Sequence, residues 1–166
     1  LLYHFNSPPE KIVLELPEIE NKNEYSVIYA GGIKTKSRYE TGYYYASSLM
    51  LDYYHNYSLK RRWGLGTDLF YDETKREYSD KNNSSNIMNS DLYQVGLHIG
   101  HEMVMGNLAL IINVGGYIYA PVEEEAPFYS RIGLRYSFAD KYIANLTLKS
   151  HWAIASFIEW GVGYSF

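Results

Sequence analysis

The residues best equipped for chemistry lie at the end of the chain, in HWAIASFIEWGVGYSF, which runs from His151 to Phe166. An imidazole such as His151 can act as a general base, and a carboxylate such as Glu159 can orient it. With a nucleophilic oxygen in hydrogen-bond reach, the pair would complete a hydrolytic triad. Ser150 and Ser156 are the nearby hydroxyls. Every second residue from Trp152 is mostly apolar or aromatic (Ile154, Ile158, Trp160, Val162, Tyr164, Phe166), whereas His151, Phe157 and Glu159 alternate with small residues. That period of two is the pattern of a strand. It turns Ser150 away from His151 and leaves Ser156 in an expected AIAS turn. His151 therefore reads either as a catalytic residue or relic, or as a polar residue inside a barrel beside Lys149 and Glu159. A bulge between His151 and Phe157 would reverse the local facing.

The other titratable residues narrow the chemistry. His98 reads as an interior hydrogen-bonding residue, His101 and His55 fall near strand ends, and His4 lies in the N-terminal tail. No HxH or HExxH spacing occurs, so no metal site and no cofactor is expected. The chain has no cysteine, which removes disulfides and thiolate ligands. A net charge of −4 without a basic cluster argues against nucleic acid as a partner.

These residues need elements to position them. No apolar run reaches the roughly 18–20 residues of a membrane helix, and LLYHFNSPPE lacks the features of a signal peptide. Alternation instead recurs along the chain. Tyr45, Leu49, Leu51 and Tyr53 oppose Tyr44, Ala46, Ser48 and Asp52, with Met50 an exception. Trp63, Leu65 and Leu69 oppose Arg62, Gly64, Gly66 and Asp68. Leu97 and Ile99 oppose Gly96, His98, Gly100 and Glu102; Leu110, Ile112 and Val114 oppose Ala109, Asn113 and Gly115. Ile132, Leu134 and Tyr136 oppose Arg131, Gly133 and Arg135; Leu146 and Leu148 oppose Asn145, Thr147 and Lys149, with Ile143 an exception. The closing segment and a less regular one, Tyr25 to Lys34, bring the number to eight.

The connections TKSRYETG, Asp72 to Ser90 and PVEEEAP are long and polar, while SLKR, MGN and ADK are short. Tight turns at one end and longer loops at the other are the habit of a membrane β-barrel. The aromatic content, 17% with 19 tyrosines, suits the two membrane–water interfaces. The expected fold is all-β: an eight-stranded antiparallel transmembrane barrel with a filled polar interior. Residues 25–166 form it, and 1–24 make a periplasmic N-terminal segment. An eight-stranded barrel has room only for its own side chains. Its inward set holds Asp52, Asp68, Glu102 and Glu159 against Arg62, Arg131, Arg135 and Lys149. Such a balanced set is expected to pair, since an unpaired buried charge is costly. Gly64, Gly66, Gly96, Gly100, Gly161 and Gly163 are expected to make room for it.

The order SVIYAGGIK, LDYY, WGLGTDLFYDE and a histidine strand followed by EWGVGYSF resembles the lipid A 3-O-deacylase (PagL) family, whose Bacteroidota-type members are labelled acyloxyacyl hydrolases. The resemblance implies a small outer-membrane barrel; the even strand count and the short turns put both termini on the periplasmic side, and the expected partners are outer-membrane lipid or lipopolysaccharide and other outer-membrane proteins. The resemblance also implies a triad of a histidine, a serine two residues on and a downstream acid, on the lipid-facing wall. His151 takes the place of the family histidine, Glu159 is the only downstream acid, and Ala153 stands where the serine belongs. An alanine methyl cannot attack an ester. The expected function is a non-catalytic, lipid-contacting or accessory barrel; the alternative is an active deacylase using His151 with a nearby serine. Glu123, Glu124 and Glu125, with Asp72, Glu73, Glu77 and Asp80, read as solvated loops, with a divalent-cation site bridging lipopolysaccharide as the alternative.

Overall fold

A computed structural model describes residues 23–35, 42–76, 89–122, 127–151 and 154–166. Eight strands follow in chain order: β1 (Asn23–Thr35), β2 (Tyr43–Ser58), β3 (Arg61–Asp72), β4 (Tyr93–Met105), β5 (Leu108–Tyr119), β6 (Phe128–Phe138), β7 (Tyr142–His151) and β8 (Ile154–Ser165). Each pairs antiparallel with its neighbour and β8 returns to β1, so the sheet closes into a barrel. The only helical pieces among the described residues are one short turn after Glu73 and a 3-10 turn, Asn89–Leu92. No helix there is long and apolar enough to cross a membrane.

Side-chain alternation follows from the pleat. On β6, Arg131 and Arg135 are buried while Ile132, Leu134 and Tyr136 are exposed; β4 buries His98 and Glu102 and exposes Leu97 and Ile99. The outer wall is therefore apolar and the interior polar, an inversion of a water-soluble core. Met50 and Ile143, which break the alternation in the sequence, meet inside in one apolar cluster with Ile28 and Ala30. Since β1 faces that cluster, it is apolar on both sides, which explains its weak period.

β2–β3, β4–β5 and β6–β7 join through tight turns at Leu59–Lys60, Gly106–Asn107 and Ala139–Lys141, all at one end. Gly106 has φ of +64°, a left-handed conformation that costs glycine little. β1 starts at Asn23, two residues before the expected strand. The AIAS turn is corrected: β8 starts at Ile154, so Ala155 and Ser156 belong to the strand. Residues 1–22 and the acidic Glu123–Glu125 run lie outside the described residues.

The seam between β1 and β8 pairs Ser26↔Ser165 through Gly31↔Trp160, and Tyr25 and Phe166 exchange both backbone hydrogen bonds beyond it. Gly161 and Gly163 make room for the backbone of β1 as well as for interior side chains: a Cβ on Gly161 would stand 2.2 Å from the Tyr29 carbonyl oxygen, and one on Gly163 would stand 2.6 Å from both the Val27 carbonyl oxygen and Ile28 Cγ1. Gly161→Val is expected to destabilise the barrel by ~1–3 kcal/mol, as overpacking does. Urea titration of the reconstituted barrel, followed by heat-modifiable gel migration, measures it.

Candidate functional site

The interior charges form one continuous chain of contacts. Arg131 Nε donates to Glu159 Oε2 at 2.7 Å, and its Nη1 donates to Asp68 Oδ1 at 3.1 Å. Asp68 meets His98 Nδ1 at 2.7 Å and accepts a hydrogen bond from the Tyr129 hydroxyl. The far nitrogen of His98 stands 3.4 Å from Asp52 Oδ1. Asp52 accepts from Arg135 Nη2 at 2.8 Å, whose Nη1 lies 2.7 Å from Glu102 Oε1. Glu102 pairs with Arg62, which reaches on to Glu24.

Every charged member of this chain except Glu24 is buried. Aromatic rings fill the space between. The Arg62 and Arg135 guanidinium carbons each lie 5.4 Å from the Tyr54 ring centre, and that of Arg131 lies 5.6 Å from Phe70. The Lys149 ammonium takes a different setting from the other cations, 3.4 Å from the centre of the Phe70 ring with Tyr117, Tyr129 and Phe157 within 6.0 Å. A cation among aromatic faces is held by their quadrupoles, more strongly where water is excluded.

The sequence pointed to Asp52, Arg62, Asp68, Glu102, Arg131, Arg135 and Lys149, and the structure places all seven inside. It adds Glu24, which the expected strand boundary had left in the N-terminal segment, and it shows that His98, expected as an interior hydrogen-bonding residue, joins the two halves of the network. The hydroxyls of Ser48 and Tyr129 were missed as well. Glycine gave the available signal for the rings. A Cβ on Gly96 or Gly115 would collide with Tyr129, one on Gly100 with the Tyr54 hydroxyl, and one on Gly66 with His98.

His151 and Glu159 are not brought together. Glu159 accepts from Ser48 Oγ at 2.9 Å and from Arg131, and it sits in register with Thr147. Thr147 and His151 are four positions apart on β7, about 13 Å of strand. His151 lies at the loop end, where its Nε2 is 2.8 Å from the Tyr117 hydroxyl and its ring stacks on Tyr117 at 6.0 Å. Tyr117 in turn packs against the inward rings of Phe70 and Tyr129, so the imidazole leans to the barrel mouth and not to the outer wall. A bulge does interrupt β7–β8. Lys149 pairs with Phe157 but Ser150 with Ala155, which leaves Ser156 as the extra residue, half-buried. Ser150 is itself buried, while Ala153 lies outside the described residues.

The sequence profile of the acyloxyacyl hydrolase C-terminal domain (PagL C-terminal) matches residues 23–166, the whole of the barrel. The chain belongs to that family. No curated protein matches the chain. The match begins at the first residue of β1, so family membership and barrel share one boundary. Among the described residues of this acyloxyacyl hydrolase-family barrel, no group of three or more histidines and carboxylates is arranged to hold a metal ion.

Arg131 joins Asp68 to Glu159, and losing it would leave Glu159 buried with only hydroxyl partners and Asp68 with only His98 and Tyr129. Arg131→Met is expected to cost about 3–5 kcal/mol of unfolding free energy, the penalty of breaking a buried pair from one side. Replacing Arg131, Asp68 and Glu159 together with apolar residues should cost less. Equilibrium urea unfolding of the two variants in lipid vesicles makes the comparison.

Proposed function

We propose that this chain is a non-catalytic barrel of the bacterial outer membrane, with short turns and termini on the periplasmic side, that contacts lipid and serves as an accessory or structural subunit of an outer-membrane assembly. The apolar wall supports the membrane setting. In hydrocarbon every backbone polar group must be paired internally, and a closed barrel does so without an edge. The long polar connections then meet the lipopolysaccharide leaflet.

The observation that carries the non-catalytic reading is the environment of His151 and Glu159. A hydrolytic histidine needs a nucleophile on one ring nitrogen and an orienting acid on the other. The Tyr117 hydroxyl occupies Nε2 of His151, and Glu159 is committed to Arg131 and Ser48 farther down the barrel. Ala153, two residues after His151, supplies no oxygen.

One observation favours a second reading, an active lipid A 3-O-deacylase. The bulge at Ser156 sets a hydroxyl out of regular register near the His151 end of β7. An ester hydrolase built on Ser156 and His151 would use that irregularity to turn the serine towards the imidazole.

Purified barrel incubated with lipid A separates the two. The accessory reading expects no fatty acid release above a protein-free control, both for the natural chain and for His151→Ala. Release by the natural chain that disappears in His151→Ala would overturn it, and loss in Ser156→Ala as well would assign the nucleophile.

A further inference from the structure

Among the described strand positions that face outward, those able to carry positive charge are His55, Arg61 and His101, and no carboxylate shares the outer wall with them. The three are not scattered. Register pairs His55 with Trp63 and Trp63 with His101, so one row crosses β2, β3 and β4 at a single height. Arg61 lies two residues from Trp63 towards the turn and pairs with Met103. Lys60, exposed in the adjoining turn, adds a further charge. The two histidine backbones stand two strand spacings apart, about 10 Å, with the half-exposed Trp63 between them.

The side chains of this row are held in place. His55 Nδ1 lies 3.0 Å from Asn23 Oδ1, which also accepts from the Tyr53 hydroxyl at 3.0 Å. His101 Nε2 lies 2.9 Å from the Tyr57 hydroxyl. The His55 ring leans on Trp63 at 5.9 Å and the His101 ring on Tyr57 at 6.2 Å. Each imidazole thus has one nitrogen fixed by a neighbour, and among the described residues no hydrogen bond engages the other. The rest of the same rim is built differently, from Tyr25, Phe138, Tyr142, Tyr164 and Phe166 in a chain of ring contacts.

We propose that His55, Trp63 and His101, with Arg61, form a binding site for the phosphodiester headgroup of a membrane lipid in the leaflet on the turn side. The proposal rests on the membrane reading above. A headgroup lying across Trp63 meets an imidazole from either side and the guanidinium from the turn, while its acyl chains follow the apolar wall along Leu65, Ile99 and Ile112. The absence of outward carboxylates makes the patch complementary to a phosphate. Charge-assisted hydrogen bonds to phosphate are among the stronger polar contacts, and basic clusters at membrane level select anionic headgroups. Tryptophan is the ring best suited to that depth, with an apolar body and a donor N–H.

Native mass spectrometry of the detergent-solubilised barrel with dioleoylphosphatidylglycerol, and in parallel with dioleoylglycerol, tests the site. The natural chain should retain the phospholipid and not the diacylglycerol of identical tails. His55→Gln with His101→Gln and Arg61→Gln should lower retention by more than about tenfold, since the loss of a single charge-assisted hydrogen bond already produces roughly that factor. Arg61→Gln alone should lower it partially. Lys141→Gln, on the far side of the rim, should leave it unchanged. Equal retention of both lipids, no change in the triple variant, or an equal loss in Lys141→Gln would each overturn the headgroup site. Heat-modifiable migration of each variant reports that the barrel is folded. A chain that stays monodisperse without detergent would instead overturn the membrane reading itself.

Discussion

Closure of β8 onto β1 is the constraint on which the rest of this molecule depends. Once the ring is complete, eight strands set a narrow interior, and every inward side chain must share it. The same closure leaves no edge of unpaired N–H and C=O groups, so the wall can be apolar all round. The seam shows the strain of that requirement. Gly32, Gly161 and Gly163 lie where β1 and β8 approach so closely that a Cβ on each would meet backbone or side chain of the other strand within 3.0 Å.

A narrow interior has consequences for its charges. An isolated ion there would cost several kcal/mol, so carboxylates alternate with guanidiniums, and at one point with the His98 imidazole, along one path from Glu159 to Glu24. Glu159 belongs to this path, and the commitment shapes the function. A carboxylate already sharing Arg131 and Ser48 is a structural anion; it would have to leave them to orient an imidazole about four residues away. The acyloxyacyl hydrolase family match covers the barrel of this chain, and the non-catalytic reading we propose rests on this commitment of Glu159.

Much of this was legible in the sequence because a strand with one oily and one polar side writes its facing directly into a period of two. β3, β4 and β6 are of that kind, with Arg62, Asp68, Glu102, Arg131 and Arg135 all on the inward parity. The signal weakened where the interior is itself apolar: Ile28, Ala30, Met50 and Ile143 cluster there, which blurred β1 and made Met50 and Ile143 look like errors. It failed at β7–β8, where the extra residue Ser156 shifts the register and the turn is shorter than AIAS suggested. Contacts between distant strands, such as Tyr117 with His151 or Ser48 with Glu159, carry no local signature. Inward glycines such as Gly96 and Gly115 hinted at large rings opposite them, but not at which rings.

A cysteine-free chain makes the closing seam directly measurable. Val27 and Tyr164 are register partners across β1 and β8. They share the parity of the hydrogen-bonded pair Tyr25 and Phe166, which sets their Cα atoms about 5.5 Å apart, within reach of a disulfide. Val27→Cys with Tyr164→Cys should cross-link on mild oxidation of the folded barrel in lipid, whereas Val27→Cys with Val162→Cys, two residues out of register, should not. Failure of the first pair, or equal cross-linking of both, would contradict a ring closed in this register and with it the placement of every charge inside.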